Sequence, residues 1–214
     1  MSTEKLTQEE IDRMMSELTQ APVAASTTIS QMESDIIGEV GNISMSQAAT
    51  TLSEILGHKV HITTPQVFVK SIREVIDAAV KPKIITSIGF KKGLTGNNLL
   101  LMDAQDSVII ANLMMGGDGQ VTSSELTELE LSAVGEAMNQ MMGSSATAMA
   151  TMLGKMIDIL PPEVHLVDDK EHFNVDIGVD NLNADVCLIA FQLEVEGILQ
   201  SEIMQVFTMD AVKE

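Results

Sequence analysis

The chain has 214 residues, long enough to bury one good core or two half-domains, and it carries a formal charge of −19 with no Trp, no Tyr and only 5 Phe. So acidic a surface repels phosphate backbones and anionic membranes, and so few aromatic rings leave no stacking platform for single-stranded nucleic acid. The expected partner is therefore a protein with basic residues around its binding face, and the core must be aliphatic, with many of the 16 Met as fillers.

The first element in the chain is a short helix signal. Thr7 can cap the amide of Glu10 while Glu10 reaches back, and Leu6 with Ile11 makes a hydrophobic staple. Ile11, Met14, Met15 and Leu18 then line one face, opposite Glu9, Asp12, Arg13 and Glu17. A helix this short is marginal alone, so residues 1–18 are expected to fold into a partner's groove. Residues 19–30 hold no charge and read as a flexible tether.

The body, residues 31–214, opens with Ser30 and Glu33 as another capping box, and a helical pattern runs to Leu56 and stops at Gly57. A strand is expected over His58–Thr63, then Pro65 and a short helix near Ser71–Val80. Strands follow at Lys83–Phe90 and Leu94–Met102, a helix at about Asp103–Met115, and a Gly-rich turn at 116–119. A second long helix is expected from about Thr122 to Leu153, stopped by Gly154. Residues 137–154 lack charge over a membrane-like length, but Asn139, Gln140 and several Ser and Thr point to a buried helix. Strands near Ile157–Val167, Phe173–Val179, Asp185–Val195 and Ile198–Thr208 complete the chain. Cys187, in the apolar run Val186–Phe191, is alone, so no internal disulfide is possible, and it reads as a small buried hydrophobe.

An internal repeat organises these elements. A shift of 97 residues places Gly38 on Gly135, Glu39 on Glu136, Asn42 on Asn139, Ala49 on Ala146, Thr50 on Thr147, Gly57 on Gly154 and Pro65 on Pro162, without a gap. Two half-repeats, about 31–117 and 122–214, are expected. Residues three and four apart share a helix face, so Asp35, Glu39 and Asn42 form one polar stripe and Ser132, Glu136 and Asn139 another. Periodicity alone leaves two readings open, a solvated acidic face or a site. No metal site competes for attention. His58 and His61 point to opposite faces of their strand. Asp168, Asp169, Asp176 and Asp180 lack the Gly and closing Glu of a calcium loop. Gly89, Gly93 and Gly96 lack a phosphate-loop ending.

The pattern Asp/Ser-x-x-x-Glu-x-x-Asn, then twenty-two residues and Pro, resembles the signature of the CheC/CheX/FliY phosphatases of chemotaxis, and both copies fit it. The likeness spans roughly residues 30–212. It implies an α+β fold with a pseudo-twofold repeat, an antiparallel-rich sheet and two long site-bearing helices on one side. It also implies hydrolysis of the aspartyl phosphate of the response regulator, phosphorylated CheY. Asn42 and Asn139 would position the in-line water, and Glu39 and Glu136 would pair with the regulator's Lys. Asp35 and Ser132 would be supporting residues. No cofactor of its own is implied; Mg²⁺ is expected in the bound regulator. Leu6–Asp12 is similar to the regulator-binding peptide of flagellar switch proteins. Switch partners FliM and FliG and a place at the cytoplasmic face of the flagellar basal body follow from the same likeness. The flagellar-switch branch also carries a FliN-like C-terminal domain, and residues 1–214 are expected to stop short of one. Met209-Asp210-Ala211 repeats Met102-Asp103-Ala104, so a truncated form is expected. The alternative is a non-catalytic FliM-like switch or scaffold module that binds phosphorylated CheY.

Overall fold

The computed structural model describes residues 29–79, 81–121, 126–167 and 181–213. The leading peptide helix, the linker to residue 28 and the strand expected at Phe173–Val179 lie outside the described residues. The elements in chain order are α1 (Gln31–Leu56), β1 (Val60–Ile62), β2 (Gln66–Ser71), α2 (Ile72–Ala78), β3 (Lys83–Lys92), β4 (Asn97–Asp103) and α3 (Ala104–Met114). Then come α4 (Glu128–Leu153), β5 (Asp158–Ile159), β6 (Glu163–Val167), β7 (Asp185–Val195), β8 (Leu199–Thr208) and α5 (Met209–Lys213).

Both long helices are bounded as their sequences dictate. The Ser30 side chain accepts from the Glu33 amide, and the Glu33 carboxylate accepts from the Ser30 amide at 2.6 Å. Gly57 and Gly154 end α1 and α4 at φ 65° and φ 60°, a left-handed conformation that costs a glycine no Cβ clash. The start of α4 differs from expectation. It begins at Glu128, capped by Thr127 and boxed by Glu130, rather than near Thr122. Thr127 and Glu130 are the 97-residue images of Ser30 and Glu33, so the repeat itself held the correct boundary.

One antiparallel sheet runs in the order β1-β7-β8-β4-β3-β5, with β2 also on β7 and β6 also on β3. At its centre β4 pairs with β8 (Leu100 opposite Gln205), and each flanking hairpin, β3–β4 and β7–β8, comes from one half of the chain. The outer strands are exchanged: β1 and β2 of the first half pair with β7 of the second, and β5 and β6 of the second pair with β3 of the first.

Alternation along the strands divides the core in two. One sheet face, with Ile84, Ile88, Leu100, Met102, Ile189, Phe191 and Ile203, packs on α1, α3 and α4. The opposite face, with Ile85, Leu99, Leu101, Leu188 and Val206, is covered by Ile72, Val75 and Ile76 of α2. The core is aliphatic with Met as filler, since Met45, Met102, Met138, Met141, Met142, Met149 and Met209 are all buried. Two readings need correction. β2 is a strand where only Pro65 and a following helix had been anticipated, and the Ile157–Val167 run is broken by Pro161-Pro162 into β5 and β6.

Candidate functional site

The two stripes are made by the way α1 and α4 bury their inner faces. In α1 the buried positions are Gly41, Ser44, Met45, Ala48, Ala49, Leu52 and Leu56, spaced at three and four. That spacing turns Asp35 and Glu39 out to solvent and leaves Asn42 at the edge, half-buried. In α4 the buried Val134, Ala137, Met138, Met141, Met142, Ser145, Ala146 and Met149 do the same, and Ser132, Glu136 and Asn139 are all exposed. Neither pair is turned toward the sheet. Ile36 and Ile37 near the start of α1 share a groove with Met149 and Leu153 near the end of α4. The helices are therefore antiparallel, and the stripes lie toward opposite ends of the pair.

Each stripe lies beside the second strand after its helix, β2 for α1 and β6 for α4. An open depression on α1 is lined by Asp35, Gly38, Glu39 and Asn42 together with Thr64, Pro65 and Val67. The proline twenty-two residues on is therefore a wall of the same depression. A Cβ at Gly38 would meet Val67 Cγ2 at 3.6 Å, an ordinary contact, whereas at Gly135 it would meet Val164 Cγ2 at 3.3 Å, a tight one.

The two stripes are not identical. Gln31 Nε2 donates to Asp35 at 2.8 Å, whereas Ser132 donates to the Glu128 carbonyl at 2.8 Å. Gln140 Nε2 donates to Glu136 Oε1 at 2.6 Å. The image of Gln140 in the first repeat is Ile43, which is 40% exposed and has no donor to offer Glu39. Among the described residues no hydrogen bond holds the amides of Asn42 or Asn139, so both are free to meet an incoming group. Gln31, Thr64 and Gln140 were not singled out from sequence. The signal for the two glutamines was their place four residues from a stripe carboxylate.

No three His, Cys, Asp or Glu side chains among the described residues are grouped to hold a metal. Asp168, Asp169, Asp176 and Asp180 lie outside the described residues. No described helix is long and apolar enough to cross a membrane.

A curled antiparallel sheet, two long helices on one side and a Glu-x-x-Asn face on each define a CheC-like protein. The CheC-like family profile matches residues 32–69 and 129–166, two windows that start 97 residues apart and each run from stripe to strand. The crystal structure of Thermotoga maritima FliY superimposes with a TM-score of 0.80 at 43% identity, covering 87% of this chain and 94% of that one. The chain belongs to the CheC-like family. The flagellar motor switch phosphatase FliY of Bacillus subtilis is 41% identical over 220 residues, covering all of this chain and 57% of that protein. The CheY-P phosphatase CheX of Thermotoga maritima is 35% identical over 81 residues, covering 38% of this chain and 50% of that protein. The chain thus spans 57% of the Bacillus FliY, and its match covers 50% of the Thermotoga CheX.

Proposed function

We propose that this chain is a hydrolase that removes the aspartyl phosphate from a phosphorylated chemotaxis response regulator of the CheY type, using both stripes as active sites. The observation that carries the proposal is the duplicated outward pairing of Glu39 with Asn42 and of Glu136 with Asn139, each on a helix able to enter another protein's pocket. The name of the Thermotoga CheX supports the same substrate, and that of the Bacillus FliY supports a phosphatase.

The chemistry constrains the roles. An acyl phosphate is cleaved by water placed in line with the leaving oxygen, and positioning with charge stabilisation supplies most of the catalysis. A neutral amide such as Asn42 or Asn139 can both accept from and donate to that water without adding charge. A carboxylate beside the phosphoryl oxygens would raise the barrier by repulsion. Glu39 and Glu136 are better placed to pair with a cation of the regulator, the Lys ammonium that the family resemblance implies, and so to fix the docked geometry. Mg²⁺ would be held by the regulator's own acidic site. Asp35 and Ser132, one turn toward the helix start, support the stripe and its contact with the partner. Assembly with the switch proteins FliM and FliG at the cytoplasmic side of the flagellar motor belongs to the same proposal. So does capture of the phosphorylated regulator by Leu6, Ile11, Met14 and Met15.

Phosphate release from a phosphorylated receiver domain tests the reading. Asn42→Ala and Asn139→Ala are each expected to lower the turnover of their own site roughly 10²-fold, and the double variant to lose nearly all activity. A folded double variant that still released phosphate at the parental rate would leave a binding module as the surviving reading.

A further inference from the structure

We infer that Gln140 is a positioning residue that pre-orders Glu136, so that the two sites engage their partner on different terms; this deepens the phosphatase reading and rests on it. Three observations converge. Gln140 Nε2 donates to Glu136 Oε1 at 2.6 Å across one helical turn on an exposed face. The bond occupies one carboxylate oxygen and leaves Oε2 for a partner's ammonium. The repeat supplies an internal control, because Ile43 stands at the matching position and Glu39 receives no such bond among the described residues.

The consequence follows from what a docking carboxylate must give up. An unrestrained Glu side chain loses rotamer freedom when it pairs, and inside a closed interface its second oxygen loses water. At the second site the rotamer is already selected and the second oxygen already has a donor. At the first site Glu39 must be ordered on contact, beside the further carboxylate of Asp35. The second site is thus pre-set for the regulator's cation. Gln140 reaches neither the water nor the phosphoryl group in this scheme. Its removal should act on docking and leave the chemical step alone.

The experiment isolates one site at a time. In an Asn42→Ala background, which leaves the second site, Gln140→Met keeps the side-chain length and helix propensity but removes the donor. KM is expected to rise about five- to tenfold with kcat within about twofold. Gln140→Glu, the same shape with no donor and a like charge, should raise KM at least as far. In an Asn139→Ala background, which leaves the first site, Ile43→Gln should lower KM. An unchanged KM in Gln140→Met, or a fall in kcat at constant KM, overturns the positioning role while the phosphatase reading stands. A folded Asn42→Ala protein with Gln140 intact but no activity sinks the phosphatase reading of the second site, and the role of Gln140 with it.

Discussion

Asn42 and Asn139 occupy matching positions in the repeat but different surroundings: one is half-buried beside Pro65 and Thr64, the other open to solvent. The opposite case is Cys187. It sits with no exposed surface on the helix-facing side of β7, and burial pushes its thiol up to about 11, far from the thiolate form. The folded protein should therefore resist a thiol reagent at pH 8, and denaturant should raise the labelling rate by orders of magnitude. Fast labelling of the native protein would contradict a sealed core at that strand.

At the scale of elements, capping and pairing decide where things begin. Ser30, Ser71 and Thr127 each take part in a complete capping box with a Glu three residues on. Side-chain and backbone hydrogen bonds from Ser30 hold Glu33 below the usual carboxylate range. Asp103, where β4 turns into α3, makes no such cap. Instead it lies opposite Lys83 in the β3–β4 ladder and bonds to that ammonium, with Lys81 at 3.5 Å. Burial alone would raise its carboxyl, but the Lys83 hydrogen bond and the charges of Lys83 and Lys81 outweigh burial and hold it below its ordinary value. A depressed carboxyl contributes stability above its unfolded pKa, about 3.9, and loses that contribution as pH falls through the lower folded value. Asp103→Asn should cost about 1–2 kcal/mol at pH 7 in denaturant unfolding. The gap from the parent should close below about pH 4. A gap of constant size across that range would show that charge pairing is not what Asp103 supplies. β2 escaped the sequence reading because a proline and a nearby helix cap obscured six residues whose partner strand, β7, lies more than a hundred residues away.

The whole molecule is held by exchange. Because β1 and β2 complete the sheet edge on β7, and β5 and β6 complete it on β3, each half leaves its own hairpin unfinished. Each half alone would expose both an unpaired edge and the inner face of its long helix. Fragments 31–117 and 122–213 should therefore be unfolded or aggregated separately, and should recover β-sheet circular dichroism when refolded together. A half that unfolded cooperatively on its own would show that the repeat is two domains rather than one interlocked core.

Taken by itself, the sequence determined the elements whose signals are local: helix caps, helix-stopping glycines, alternating strands and a 97-residue repeat that put two Glu-x-x-Asn faces on two helices. It also determined the core's chemistry, since a chain without Trp or Tyr and with only 5 Phe has mainly aliphatic side chains and Met to bury. Only the tertiary structure decided that both stripes face outward, that the distant proline walls the first of them, and that strands from each half complete the other. Those outcomes depend on pairings between residues far apart in the chain, whose energies come from contact rather than from any property of the neighbouring residues.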